Sequence, residues 1–321
     1  MDASNASPAS LLEAVTFFSD PDTSLAFVAR LRWPDGVVKC PRCEAAEATF
    51  LSTRRLWKCR ACKKQFSAKV GTIFEDSPLP LEKWLPALWL VVNCKNGISS
   101  YELARALKVS QRAAWFMGHR LRLAVQSGGG LGKISGEVEV DETFIGGKAR
   151  FMHKSKRAEK ITGRGPMGKT AVMGLLERHG EDGHSAIKVA KVVPNTKRKS
   201  LSPEVRQHVE EGSEVFTDTL KSYDDLGAEY VHGVINHAEK YVAGKIHTNG
   251  MENFWSLLKR GIKGTYVSVE PFHLFRYLDE QTFRFNNRKM TDGMRFLRAA
   301  AGIIGKRLTY AALTGAEVAG T

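Results

Sequence analysis

The sequence predicts an α/β fold: a mixed sheet covered by helices, preceded by a small cysteine ribbon and a helical region. Three observations carry this. Strand-like and helix-like runs alternate from residue 132 onward. Four of the five cysteines fall between Cys40 and Cys62 as two CxxC pairs. Residues 81–126 carry apolar side chains at helical spacing between breaker residues. With 321 residues and 43% apolar content, the chain can build two or three domains with real cores. Its net charge of +14 implies a polyanionic partner, either nucleic acid or an anionic membrane face. No apolar run reaches the roughly 18 residues of a membrane span, and Met1 to Pro8 lacks the pattern of a secretory signal. The expected setting is the cytoplasm, with nucleic acid as partner and no membrane.

Residues 1–20 read as an amino-terminal tail and 21–76 as the ribbon. Cys40-Pro41-Arg42-Cys43 and Cys59-Arg60-Ala61-Cys62 are separated by 15 residues (59 − 43 − 1). Each CxxC offers two thiolates from a tight turn, and four thiolates close a tetrahedral shell around one zinc ion. A closed shell leaves no position for substrate, so this zinc is expected to be structural. Trp57 and Phe66 are expected to pack on the ribbon, leaving Lys58, Arg60, Lys63 and Lys64 for phosphates. Cys94 stands apart in an apolar run and reads as a buried thiol.

Residues 77–126 read as helical. Leu81 to Val92 presents Trp84, Leu85, Leu88, Val91 and Val92 on one face. Ser99 or Ser100 caps a second helix, Lys108-Val109-Ser110 makes a short turn, and a polar, basic third helix follows from Gln111. This fits a helix-turn-helix with Gln111 and Arg112 near base edges. An ordinary helical hairpin fits it equally. Ser127-Gly128-Gly129-Gly130 reads as a linker.

The expected sheet strands are Glu137 to Ile145, Thr170 to Leu176, Ala186 to Val193, Ser213 to Asp218 and Tyr230 to Ile235. Helices are expected at Pro203 to Glu211, Met251 to Arg260 and Pro271 to Asn286. Asp141, Asp218 and Glu252 thus sit on two strands and one helix, where they can converge on hard divalent cations. Two such ions suit phosphoryl transfer. Periodicity does not choose between Asp141 and Glu142, because a strand presents them on opposite faces. Glu252 has a rival role, bonding back to Thr248 or Asn249 in a capping box. On its helix Glu252, Ser256, Lys259 and Lys263 form a polar stripe beside the apolar Met251, Phe254, Trp255 and Leu258. Between Gly147 and Lys169 the chain carries Lys148, Arg150, Lys154, Lys156, Arg157, Lys160, Arg164 and Lys169 against Glu159. This reads as a loop that neutralises phosphates, with Arg260 extending the track. Residues 291–321 read as a helical tail.

These motifs resemble those of insertion-sequence transposases of the DDE superfamily, in the group with an amino-terminal zinc ribbon. The resemblance rests on Val140-Asp141-Glu142-Thr143-Phe144-Ile145-Gly146-Gly147-Lys148, on Thr217-Asp218 and Tyr223, and on His247-Thr248-Asn249-Gly250-Met251-Glu252-Asn253-Phe254-Trp255 with Lys259-Arg260. Phe283-Arg284-Phe285-Asn286-Asn287-Arg288 completes it. It implies a ribonuclease H-like catalytic domain over 132–290, with Asp141, Asp218 and Glu252 binding two magnesium ions (manganese can substitute) and Lys259 as their basic partner. It further implies binding of terminal inverted repeats in double-stranded DNA, cleavage of element ends, joining of 3′-hydroxyls to target DNA, and a homo-oligomer that pairs two ends. A non-catalytic DNA-binding regulator and a nuclease without strand transfer are the competing readings.

Overall fold

The computed structural model describes residues 8–126, 132–147, 152–161, 166–180, 183–235 and 246–315, with Lys156 described by its backbone alone. The chain divides into two compact units, 1–126 with 289–321, and 127–288. In chain order, α1 (Leu11–Phe18) and α2 (Pro21–Arg32) precede β1 (Ala48–Leu51), β2 (Leu56–Cys59) and β3 (Gln65–Phe66). Next come α3 (Leu81–Asn93), α4 (Ser100–Leu107) and α5 (Gln111–Ala124). The second unit contains β4 (Glu137–Ile145), α6 (Lys154–Lys160), β5 (Thr170–Glu177), β6 (Ala186–Val193), α7 (Arg198–His208), β7 (Glu214–Asp218), β8 (Val231–Ile235), α8 (Asn249–Gly261) and α9 (Leu274–Asn286). The chain ends with α10 (Asp292–Ala301) and α11 (Tyr310–Thr314).

In the first unit the helix starts follow local capping chemistry. Ser10 caps α1, and Asp20 caps α2 with Pro21 in its first turn. Part of the expected tail is therefore helical, and these cap signals were readable in the sequence. Ser99 and Glu102 form a reciprocal capping box on α4. The ribbon is an antiparallel three-strand sheet in the order β1-β2-β3. Trp57 pairs with Phe66 across it and meets Trp33 edge-on with ring centres 5.1 Å apart, so these aromatics do pack. The chain end returns to this unit: Phe296 of α10 meets Phe18, Phe27 and Trp89 at 5.5, 5.6 and 5.3 Å. A Cβ on Gly302 would stand 2.1 Å from the Ala124 carbonyl oxygen, so only glycine permits that approach.

Two expectations for this unit need correction. The third helix is not polar along its length, because His119, Arg120 and Arg122 of α5 are buried. Arg120 donates to the carbonyls of Leu308, Ile73 and Glu75, so it holds three backbone segments together. Cys94 is only partly buried, because it lies at the C-terminal end of α3.

In the second unit the strand order is β6-β5-β4-β7-β8. The central strand β4 runs antiparallel to β5 and parallel to β7, and β7 runs parallel to β8. This mixed five-strand sheet with helices on both faces is that of a ribonuclease H-like domain. On one face Val138, Val140, Met173 and Leu175 pack with Leu201 and Val205 of α7. On the other, Val172, Leu176 and Ile187 pack with Met251, Phe254, Trp255 and Leu258 of α8 and with Leu278 of α9. Asn286 fastens α9 to β6, accepting from the Ile187 amide and donating to its carbonyl, both at 2.8 Å.

The helix expected from Pro203 begins instead at Arg198, with Pro203 inside it. The basic segment after Gly147 is not all loop, because Lys154–Lys160 form α6. Among the described residues no helix is long and apolar enough to cross a membrane.

Candidate metal-binding active site

Asp141 lies midway along β4, opposite Gly174 of β5. A Cβ on Gly174 would stand 2.2 Å from the Met251 methyl and 2.9 Å from the Trp255 ring. Glycine here lets α8 lie close on the sheet beside Asp141. The Trp255 indole Nε1–H donates to Asp141 Oδ2 at 3.1 Å, and the Glu142 amide donates to Oδ1 at 2.8 Å. Asp218 ends β7, the neighbour of β4, with Oδ1 accepting from the Leu220 amide at 3.0 Å. Glu252 is exposed in the first turn of α8.

These groups act on one another electrostatically. Burial, reinforced by the charges of Asp218 and Glu252, pushes the Asp141 carboxyl up to about 7 against the pull of its two hydrogen bonds. Lys259 is partly buried, which lowers its ammonium, while the charge of Asp141 opposes that shift and Lys263 and Lys169 reinforce it. Lys169, from the basic segment, therefore shares this field with Lys259. Glu142 faces the opposite side of β4. Burial, then the charges of Asp141 and Asp218, push it up to about 9, and its Oε1 has no hydrogen-bond partner among the described residues. Indole bond, neighbouring charges and a lysine select Asp141 as the acid turned toward α8, which strand periodicity left open.

The side chain of Thr248, the residue before α8, makes no cap hydrogen bond to the helix. A residue that sequence reasoning passed over serves the helix end instead. Glu139 is 1% exposed, and its Oε2 accepts from the Met251 amide at 2.9 Å. Arg178, just after β5, donates through Nε to Glu139 Oε1 at 2.8 Å and through Nη1 to Glu137 Oε2 at 3.3 Å. Its Nη2 reaches the His247 carbonyl, and its guanidinium stacks 4.1 Å from the Phe216 ring centre. This buried pair ties β4, β7 and the start of α8 together within two residues of Asp141 and one of Glu252. The signal was present: Glu137, Glu139 and Asp141 alternate on one face, and a covered face with several carboxylates needs a buried cation.

Four of the residues expected to meet DNA are described in full in or near this unit. Lys154 and Arg157 are exposed on α6, Arg260 is exposed and Lys259 half-buried on α8. Lys148, Arg150 and the side chain of Lys156 lie outside the described residues. In the first unit Gln111 and Arg112 are exposed at the start of α5. Gln111 donates to Ser100 Oγ, and Arg112 donates to the Tyr310 hydroxyl at 2.9 Å and stacks on its ring.

Among the described residues, the one group of three or more potential metal ligands drawn within 4.8 Å of one another is Cys40, Cys43, Cys59 and Cys62. Cys40 Sγ lies 3.7 Å from Cys62 Sγ, and Cys43 Sγ lies 3.6 Å from Cys59 Sγ. Those are the edges of a tetrahedral thiolate site for structural zinc. The three carboxylates are not drawn so close. They nonetheless fit hard divalent metal: all are oxygen donors, and Asp141 is held against its own ionisation by burial and then by the charges of Asp218 and Glu252, which a cation would neutralise.

A ribonuclease H-like sheet with acids on its central strand and on that strand's parallel neighbour, and a third acid on the helix packed against the sheet, together with a four-cysteine ribbon, defines a transposase-type chain. The comparisons agree: residues 133–286 match the ISXO2-like transposase domain and residues 20–65 the transposase zinc-ribbon domain. The chain belongs to this family of insertion-sequence transposases. It is similar to an uncharacterized protein in transposable element ISH50 of Halobacterium salinarum, with 26% identity over 73% of this chain and 80% of that one. It is also similar to an uncharacterized transposase-like protein of Haemophilus influenzae, with 35% identity over 33% of this chain and 87% of that one.

Two expected outcomes arise here. Cys59→Ser should lower the zinc content of purified protein, read by elemental analysis, from about one ion per chain to near zero, because three thiolates no longer close the shell. The second concerns pH. Asp141 is raised from 3.8 to about 7 in the folded state, so between those values the folded chain holds a proton that the unfolded chain has lost. Its contribution therefore makes metal-free protein less stable as pH rises from about 4 to about 7. Melting temperatures taken without divalent metal should fall more steeply across that window for the wild type than for Asp141→Asn. Equal slopes would show that Asp141 is not the group responsible.

Proposed function

We propose that this chain is an active DNA transposase that binds the terminal inverted repeats of its element, cuts at the ends and joins the freed 3′-hydroxyls to target DNA. The observation supporting this most directly is the field at Asp141, where the charges of Asp218 and Glu252 both act on one carboxyl. Asp141, Asp218 and Glu252 would hold two magnesium ions, for which manganese can substitute. When bound, these ions supply activation of water or of the 3′-hydroxyl and neutralise charge on the leaving oxygen.

The protein's own residues position and neutralise. The Trp255 indole and the Glu142 amide fix the orientation of Asp141, one on each oxygen, and the remaining lone pairs would hold the cation. Glu252, exposed on α8, would supply a further carboxylate oxygen to the ions. Lys259, two turns further along the same helix, places an ammonium against the scissile phosphate, and Lys169 adds a second. Catalysis then rests on positioning and charge neutralisation more than on proton transfer by the acids.

DNA is held by cations outside the site: Lys154, Arg157 and Arg260, joined by Lys148, Arg150 and Lys156 of the same basic segment. Gln111 and Arg112 at the start of α5 are offered for base reading, and the zinc ribbon keeps its neighbouring lysines and arginines in place. Pairing two ends calls for a homo-oligomer, and such a protein acts in the cytoplasm on the nucleoid.

The test is a strand-transfer assay: purified protein, DNA carrying the sequences that flank this gene, a target plasmid and magnesium. Joined products establish the reading. Cleavage without joining indicates a nuclease, and binding without either, in magnesium or manganese, indicates a regulator.

A further inference from the structure

The segment joining α8 to α9 is built unlike an ordinary connection. Ile262–Tyr266 continue α8 as a short π-helix, a form that concentrates at functional sites. Val267 follows with φ 61° and ψ −54°. A β-branched residue avoids that region unless its surroundings enforce it. Here they do. On one side Tyr266 donates its hydroxyl to Glu280 and meets Tyr277 edge-on at 4.7 Å; on the other, Val269 packs into the α8–α9 core. Val267 is left 77% exposed between these anchors. Leu274 is buried in the same core, while Phe272 is 61% and Phe275 39% exposed. Three large apolar side chains are thus displayed within nine residues of an anchored segment, where single exposed ones would need no explanation.

The charge around them indicates the partner. Residues 259–276 carry Lys259, Arg260, Lys263 and Arg276 against Glu270, and Arg276 is occupied with Asp279. Lys263 shares the field of Lys259, and Lys259 that of Asp141. Val267 lies eight residues past Lys259 (267 − 259), on the order of 10 Å along a helical rise, or about three base steps. A duplex whose phosphate meets Lys259 would present base steps to this segment. Apolar wedges flanked by cations are how proteins unstack and kink DNA.

We propose that the α8–α9 segment is a DNA wedge, with Val267 and Phe272 entering between adjacent base pairs of the duplex held at the acid site, and Phe275 supporting them. This rests on the transposase reading. Unstacking the end gives the scissile strand the room to bend onto the carboxylates.

The experiment uses the full chain and its Val267→Gly/Phe272→Ala variant, in which glycine also tolerates the positive φ, so the fold is kept. The probe is duplex DNA of the flanking end, with 2-aminopurine placed in turn at each step near the cleavage point. Wild-type protein is expected to brighten the probe several-fold at one step. The variant should bind the duplex within about threefold of the wild type, leave every probe dark and cleave at least tenfold more slowly. An abasic site at the responsive step should restore its rate. No brightening with the wild type, or equal brightening and cleavage with the variant, overturns the wedge. So does a variant that only loses self-association in sedimentation, since the patch would then seat a second copy of this chain. Brightening by a wild type that never cleaves would leave the wedge standing and overturn the transposase reading instead.

Discussion

Asp141→Asn is expected to lower magnesium-dependent cleavage and strand transfer by at least about a thousandfold while leaving DNA affinity nearly unchanged. The amide keeps the size of the side chain and can still accept from the Trp255 indole, the bond seen at 3.1 Å, so the fold survives. What is lost is the negative charge through which a cation would be held. Glu252→Gln should act the same way, with the extra sign that manganese recovers part of the activity, because an amide oxygen remains on a side chain that is exposed. Glu142→Gln separates the two adjacent acids. It lies on the other face of β4 and should retain far more activity than Asp141→Asn. If Glu142→Gln were the inactive variant and Asp141→Asn the active one, the site would have been assigned to the wrong face.

Arg178→Ala carries the largest expected effect on stability. It would strip the guanidinium from Glu139, a carboxylate 1% exposed, and detach the His247 carbonyl at the start of α8. Leaving one partner of a buried pair uncompensated costs about 3–5 kcal/mol. For a unit of this size that is a fall in melting temperature of roughly 10 °C, readable by calorimetry. The double change Arg178→Met with Glu139→Gln removes both charges at similar volume and should recover most of that loss. If the double variant melted no higher than Arg178→Ala, packing of the guanidinium on Phe216 would be the larger contribution.

Both predictions turn on neighbours that lie far apart in the chain, and this decides how much could be read beforehand. The ribbon was legible because its chemistry is local: two tight CxxC turns define four ligands wherever the chain goes next. β4 was legible because alternation of apolar residues has the same period in the sequence as in the pleat, and β5 because it is a short continuous apolar run. The helix of Glu252 was legible for the matching reason, with Met251, Phe254, Trp255 and Leu258 already on one face. The start of α7 was not, because Pro203 looks like a beginning and sits inside the helix instead. Nor was the burial of Arg120. A basic helix reads as a DNA-facing helix until the chain end comes back to accept its hydrogen bonds through Leu308.

At the acid site the division is sharper. Composition, spacing and motif named the three candidate acids, the cysteine quartet and the basic segment, because residue type and short-range period suffice for each. Three things were decided only when distant segments met: that Asp141 rather than Glu142 faces α8, that Glu139 and Arg178 hold that helix in place, and that Lys169 shares the field of Lys259. Each depends on desolvation and on charges brought close by folding. Burial and distance, unlike residue type and period, are not properties of a chain until it has folded.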